Sequence, residues 1–163
     1  MFLIISQCKS VQYYCFMAIR FAVQDVDFEL KFEAKVKKWL SEVILRREKH
    51  VGNISYLFCS DEYLLGVNQQ YLNHDTYTDI ITFDYVAADL ISGDIMISVD
   101  RVGENAEKFG VPFEQELHRV IVHGVLHLLG QGDKTESEAT EMRRLEEEAL
   151  SLWNDMFHAE RIS

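Results

Sequence analysis

Apolar positions recur along the chain with two different periods, and these predict strands and helices in a definite order. Short runs rich in β-branched and aromatic residues predict strands at residues 18–23, 54–59, 78–85 and 90–99. Helical spacing of apolar residues predicts helices at residues 31–50, 61–72, 100–110, 112–129 and 137–157. The sequence therefore predicts an α/β (α+β) fold, in which about five helices pack on a small mixed four-stranded sheet.

Cap and breaker residues predict where several of these elements begin and end. Asp100 is a predicted N-cap, and Pro112 suits the first turn of a helix, where its missing N–H does no harm. Residues 52–53 (Gly-Asn) are predicted to separate the first helix from the second strand, and Gly130 to stop the helix that begins at Pro112. The predicted inner stripe of the last helix is Met142, Leu145, Ala149, Leu150 and Trp153.

Length and composition indicate one globular domain. The chain has 163 residues, 48% of them hydrophobic, with one proline and eight glycines, which leaves little material for a linker. Residues 17–163 are predicted to form this domain, and residues 1–16 to be a disordered extension or the product of an upstream start codon. Three cysteines without close spacing predict reduced thiols in a cytoplasmic protein, and no apolar run has the length of a membrane span.

The net charge of −11 argues mildly against tight, nonspecific binding to nucleic acid, since such affinity comes largely from Lys and Arg. The charge is unevenly spread, however. Residues 31–49 contain seven basic and three acidic residues, whereas residues 133–163 contain four basic and nine acidic ones. Both runs are typical of solvated helix faces, but the first helix is also a candidate phosphate-contacting face.

The chemically informative segment is residues 122–133, VHGVLHLLGQGD. Residues four apart lie on the same face of a helix, so His123 and His127 can direct two imidazoles at one point. The turn at Gly130 would let Asp133 return as a third ligand and leave one position open, as in catalytic zinc sites. The alternative is that two histidines simply share a partly buried helix face. Apolar neighbours favour a metal, because unpaired polar groups are costly in such surroundings.

Three blocks, in order, resemble the YbeY family. Residues 123–130 resemble its HGxLHLxG motif, residues 68–83 its LNxxYRxxDxPTDVLSF region and residues 93–97 its GDIxI strand. The resemblance extends from Met17 to the last helix. It implies a metal-dependent, usually zinc-dependent endoribonuclease that cuts single-stranded RNA during ribosomal RNA maturation and ribosome quality control. By this resemblance His123, His127 and Asp133 are the catalytic and metal-binding residues, one divalent ion (Zn²⁺) is the expected cofactor, and the ribosome or its proteins are further candidate partners.

The chain departs from the family pattern at two positions. Asp133 replaces the third histidine, and its negative charge predicts a more alkaline pH optimum than a three-histidine site would have. Leu72 replaces an arginine that would suit a phosphate, so Arg101, Lys134 or a basic residue of the first helix is needed as a substitute. The residue after His123 is Gly124 rather than the glutamate of zinc peptidases, which argues against peptidase chemistry.

Other side chains are weaker candidates for the site. His118 is predicted to be structural or exposed, whereas His74 and Asp75 are candidate cleft residues. Thr78 and Asp79 are either turn residues or substrate contacts, and Asp94 is a candidate hydrogen-bond partner of a ligand histidine. Three aromatic residues are predicted to pack in the core, with base stacking as the alternative: Tyr71, Phe83 and Tyr85.

Two other functions stay open from the residues. One is a ribosome-associated binding factor with a mainly structural metal, which the acidic charge and Leu72 favour. The other is a hydrolase of a different substrate, such as a small amide or phosphoester. An open metal position separates the catalytic functions from the structural one.

Overall fold

The computed structural model describes residues 18–72 and 76–157, apart from the side chain of Leu72. The prediction for residues 1–16 lies outside these ranges. Nine regular elements and one π-helical turn follow the predicted order: β1 (Ala18–Gln24), α1 (Glu33–Leu45), β2 (His50–Cys59), α2 (Asp61–Val67) with a π-turn (Asn68–Leu72), β3 (Ile80–Asp84), β4 (Leu90–Ser98), α3 (Val99–Phe109), α4 (Phe113–Leu128) and α5 (Glu136–Phe157).

The four strands form one mixed sheet in the order β1-β2-β4-β3. β1 and β4 run parallel to β2, and β3 is antiparallel to β4. Helix α4 packs on β3 and β4 and contacts α5, which in turn contacts α1. Two buried side chains connect these layers: Trp39 Nε1 donates to the Ala149 carbonyl (2.7 Å), and the Tyr56 hydroxyl to the Ile121 carbonyl (2.8 Å). The predicted fold class is confirmed. Across the described ranges, no helix is long and apolar enough to cross a membrane.

The predicted break at residues 52–53 is wrong, because both residues lie inside β2. Helix α1 already ends at Leu45, and β2 begins at His50. Gly52 is buried, and a side chain there would collide with Ser92 of β4. The pairing register of β2 with β4 also shifts between Val51 and Ile54. The glycine therefore permits a close strand contact at a bulge and does not terminate an element.

Two predicted helix starts also differ from the structure. Ser98, not Asp100, caps α3, since its hydroxyl accepts from the Arg101 N–H (3.1 Å). Asp100 lies in the first turn and accepts from the Asp61 N–H (2.9 Å). Pro112 is the residue before α4 and has extended backbone (ψ 144°), so it precedes the first turn.

The inner stripe of α5 is confirmed in part. Met142, Leu145 and Ala149 are buried, whereas Leu150 and Trp153 are half-buried at the edge of the core. The stripe also contains the buried acidic residue Glu146, which the apolar pattern did not include.

Gly124 sets the distance between α4 and the sheet. A Cβ at this position would lie 2.9 Å from Ile95 side-chain atoms and 3.1 Å from Ile80. Both distances are shorter than ordinary van der Waals contact, so only glycine lets the helix lie this close to β3 and β4. His123 and His127 belong to the same helix, so their position relative to the sheet depends on this contact.

We expect Gly124→Ala to lower the free energy of unfolding by about 1–3 kcal/mol, the usual cost of overpacking a filled core. Urea denaturation measures this change. The matched control is Gly103→Ala in α3, where a Cβ meets nothing within 4 Å. That variant should be about 0.5–1 kcal/mol more stable than the wild type, because alanine is the better helix former. Equal effects of the two substitutions would contradict the proposed close contact.

Candidate metal centre

The structure brings together the three residues that the sequence predicts as metal ligands. His123 and His127 lie one turn apart on α4, with ring centroids 4.4 Å apart and ring planes at 89°. The helix ends at Leu128, and Gly130 adopts a left-handed conformation (φ 90°) that L side chains rarely adopt. The chain turns there, so that Asp133 Oδ2 lies 3.7 Å from His123 Nε2 and 3.5 Å from His127 Nε2.

These distances fit a bound metal ion. Bonds of about 2.0–2.2 Å at tetrahedral angles place neighbouring donor atoms about 3.3–3.6 Å apart. One ligand atom from each of the three residues lies within 4.8 Å of the others. The Asp133 side chain is 40% exposed, so solvent reaches the centre from its side. The three side chains are thus positioned to bind a metal ion.

The other ring nitrogen of each histidine is bound to an acceptor. His123 Nδ1 lies 2.7 Å from Glu146 Oε1, and His127 Nδ1 lies 2.8 Å from the Gln131 carbonyl oxygen. A carbonyl oxygen can only accept, so His127 carries its proton on Nδ1, and a carboxylate selects the same form of His123. Both Nε2 lone pairs are consequently directed towards Asp133 and are available to a metal.

Glu146 connects the centre to a buried charge network. Its second oxygen lies 3.2 Å from Arg119 Nη1, and Arg119 Nε lies 3.5 Å from Glu116. Burial lowers the pKa of His123, but the hydrogen bond and charge of Glu146, with the charges of Asp79 and Asp133, outweigh it and raise this pKa overall. Burial raises the pKa of Glu116, and Arg119 offsets only part of that change. The network orients His123 and makes its imidazole a more basic ligand.

The prediction for Asp94 is wrong, because Glu146 and the Gln131 carbonyl take the role proposed for it. Partial desolvation of the phenol, together with the charge and hydrogen bond of Asp94, raises the pKa of Tyr85, which places this carboxylate beside the phenol. Of the two alternatives predicted for His118, structural or exposed, the structure supports the first. Its ring centroid lies 4.1 Å from that of Trp153, and burial lowers its pKa to about 4.

Two residues before β3 form hydrogen bonds within the fold. The Thr78 hydroxyl donates to the Ile80 carbonyl (3.1 Å), and Asp79 accepts from Asn105 (3.3 Å) and from the Ser98 N–H (2.9 Å). These bonds support the structural interpretation of both residues. The predictions for His74 and Asp75 fall outside the described ranges.

Core packing was the wrong prediction for two of the three aromatic residues. Tyr71 and Tyr85 are 63% and 59% exposed. Phe83 packs against a small cluster around Leu64 and Ile81, and the ring of Tyr71 meets its edge at 6.1 Å. Two exposed tyrosines therefore belong to the surface on the β3 side of the sheet.

Two clefts meet at the candidate metal centre, and Asp133 lines both of them. The first has a volume of about 670 Å³, lies between α4 and α5, and includes His123, Arg119, Arg143 and Glu146. The second has a volume of about 600 Å³, lies beside β3, and includes His127, Lys134, Asn68 and Thr78. The centre is thus open on two sides, which suits a chain-like substrate that crosses it.

Comparison with known proteins identifies relatives over most of the chain. The family model described as "Endoribonuclease YbeY" matches residues 18–154. A protein named endoribonuclease YbeY from Flavobacterium psychrophilum is 53% identical over 130 residues, which is 80% of this chain and 93% of that protein. One of the same name from Porphyromonas gingivalis is 52% identical over 125 residues, or 77% and 83% of the two chains. The solution structure of TM1509 from Thermotoga maritima matches with a TM-score of 0.62 at 26% identity, covering 88% of this chain and 93% of that one.

Proposed function

We propose a hydrolytic role for the three-residue centre, starting from the fact that this chain belongs to the endoribonuclease YbeY family. The proposed activity is metal-dependent cleavage of single-stranded RNA within the strand, in ribosomal RNA maturation and ribosome quality control, with the ribosome as a further partner. One observation supports it most: the three ligand atoms meet where two clefts join, so an RNA strand can extend in both directions from the reacting phosphate.

The proposed cofactor is one Zn²⁺ ion, which two imidazole nitrogens and one carboxylate would hold. When bound, such an ion lowers the pKa of a water molecule and polarises a phosphoryl oxygen. Glu146 and the Gln131 carbonyl keep both imidazoles in the ligand tautomer. Asp133, on the exposed side, leaves room for the phosphodiester to approach.

The residue after His123 is not the glutamate that zinc peptidases use as a base. Gly124 occupies the position of the zinc-peptidase glutamate, and the structure shows why no longer side chain fits there. A Cβ at residue 124 would face Ile95 and Ile80 of the sheet, not the histidines. This geometry argues against the zinc-peptidase mechanism at this centre.

Removing the metal should abolish RNA cleavage. We expect the purified protein to cut an end-labelled, single-stranded ribosomal RNA fragment and to leave the same fragment intact in a duplex. A chelator should stop cleavage, and added Zn²⁺ should restore it after the chelator is removed. Gel electrophoresis of the products measures both effects. Cleavage that persists in the chelator, or equal cutting of the duplex, would refute the proposal.

Asp133→His should shift the pH dependence of cleavage towards acid. The carboxylate lowers the formal charge of the centre by one unit relative to a third imidazole, which makes the wild-type optimum the more alkaline one. The measurement is the initial rate of cleavage between pH 6 and pH 9 for both proteins at saturating metal. Superimposable profiles would show that the charge of Asp133 does not set the optimum.

A further inference from the structure

Cationic side chains are few around the candidate centre. The two clefts contain three of them among the described residues: Arg119, Lys134 and Arg143. The same clefts contain the carboxylates of Asp84, Glu116, Asp133 and Glu146. A phosphodiester chain that enters this site therefore needs specific cationic partners, since the chain as a whole carries a net charge of −11.

Arg119 cannot serve as one of these partners. It lies between the buried carboxylates of Glu116 and Glu146, at 3.5 Å and 3.2 Å. Its side chain is only 27% exposed. Two carboxylates already compensate its one positive charge, so moving it towards a phosphate would break the ion pair of buried Glu116 and remove one of the two partners of Glu146.

Arg101 and the basic face of α1, both predicted as substitutes for the family's arginine, are also unsuited. Arg101 forms a two-pronged ion pair with Asp61 (2.8 Å), a second ion pair with Glu104 (3.0 Å), and a stacking contact with the Tyr77 ring (4.7 Å). It lines neither cleft. The basic residues of α1 likewise line neither of the two clefts at the centre.

Lys134 and Arg143 differ from these cations in position and in pairing. Both are exposed, and neither forms an ion pair or a side-chain hydrogen bond with residues 18–72 or 76–157. Lys134 follows Asp133 directly and lines the cleft beside β3. Arg143 lies on α5 and lines the opposite cleft. The nearby Glu138 carboxylate accepts from the Thr135 N–H (2.9 Å), and its bonds with Thr135, with the backbone N–H and the charge of Lys134, lower the pKa of Glu138.

We propose that Lys134 and Arg143 bind the RNA backbone on opposite sides of the bond that is cut, one phosphate in each cleft. The proposal rests on the proposed function and extends it. Guanidinium and ammonium groups are the usual phosphate partners, and both side chains can turn to a ligand without breaking an existing contact. In this arrangement Lys134 and Arg143 make the phosphate contacts for which an arginine at position 72 would be suited.

The test is the salt dependence of RNA binding and cleavage by the full chain. Anisotropy of a fluorescein-labelled, single-stranded 12-mer RNA gives the Kd in a chelator, between 50 and 200 mM salt. Initial cleavage rates with Zn²⁺ give kcat and KM separately. The variants are Lys134→Gln, Arg143→Gln and their combination. The matched controls are Lys38→Gln in α1 and Arg20→Gln in β1, both exposed and outside the clefts.

Each cleft variant should weaken binding about fivefold and reduce the slope of log Kd against log salt by about 0.7, the value for one phosphate contact on a single strand. The double variant should lose about 25-fold, since distant sites act additively. In the cleavage assay, the cleft variants should raise KM more than they lower kcat. The conservative variants Lys134→Arg and Arg143→Lys should bind RNA with most of the wild-type affinity.

Two results would overturn the inference. If the wild type binds and cuts RNA but the cleft variants match Lys38→Gln and Arg20→Gln, the phosphates are bound elsewhere and the proposed function stands. If the wild type neither binds nor cuts single-stranded RNA, the proposed function is refuted, and the inference fails with it.

Discussion

His127→Ala is expected to lose cleavage of single-stranded RNA by roughly a thousandfold or more, because two remaining ligands cannot hold a catalytic ion firmly. The substitution removes one of three ligand atoms that lie within 4.8 Å of one another. His127 is half-buried at the end of α4, and its Nδ1 bonds only the Gln131 carbonyl. The fold should therefore tolerate the change, and the loss should be chemical. The measurement is the cleavage rate of a ribosomal RNA fragment under excess enzyme.

The control for this experiment is His50→Ala, purified in parallel. His50 is exposed at the start of β2 and lines neither cleft, so its removal should leave activity unchanged. The pair also controls for contaminating ribonuclease, which would cleave RNA equally in every preparation. Equal activity, or equal inactivity, of the wild type and His127→Ala would remove the support for a metal-dependent nuclease. A binding factor with a mainly structural metal would then become the better hypothesis.

The clustering of the three candidate metal ligands was predictable because their arrangement depends on local rules. The four-residue spacing of His123 and His127 places both on one face of a helix, whatever the rest of the fold does. Gly130 marks the end of that helix, and three residues suffice for Asp133 to return. The order of elements and the mixed sheet followed from apolar periodicity for the same reason.

Contacts between distant segments were not predictable in this way. Gly52 was interpreted as a breaker, but its role depends on Ser92, 40 positions later in the chain. Asp94 was considered as a partner for a ligand histidine because such histidines usually bond a carboxylate or a carbonyl, yet β4 places it beside Tyr85. Strand register and helix packing determine which distant residues come into contact, and neither can be deduced from a single sequence.

Glu146, the partner of His123 at the candidate centre, was missed by sequence reasoning, although a signal for it exists. Met142, Leu145 and Ala149 define the buried stripe of α5, and position 146 lies within that stripe. A charged residue at a buried helical position needs a partner, and this alone marks it for attention. The stripe does not reveal that the partners are His123 and Arg119, because both belong to α4.

Glu146→Ala is expected to weaken metal binding about 10- to 100-fold, the usual cost of removing a carboxylate that holds a ligand histidine. The substitution frees His123 Nδ1 and removes the charge that raises the pKa of His123, so the imidazole becomes a poorer donor. The Zn²⁺ affinity of Glu146→Gln should lie between those of the wild type and Glu146→Ala, because an amide oxygen can still accept the hydrogen bond from His123 but carries no charge. Competition with a chromophoric chelator measures the Zn²⁺ affinity of each protein.

Glu147→Ala is the matched control, since this neighbour is exposed and lines neither cleft. Its Zn²⁺ affinity should equal that of the wild type, while circular dichroism confirms that each variant is folded. Normal affinity in folded Glu146→Ala would show that His123 keeps its orientation through packing on the sheet alone. Graded loss from glutamate to glutamine to alanine would instead show that the buried carboxylate sets both the orientation and the basicity of the ligand, which packing cannot do.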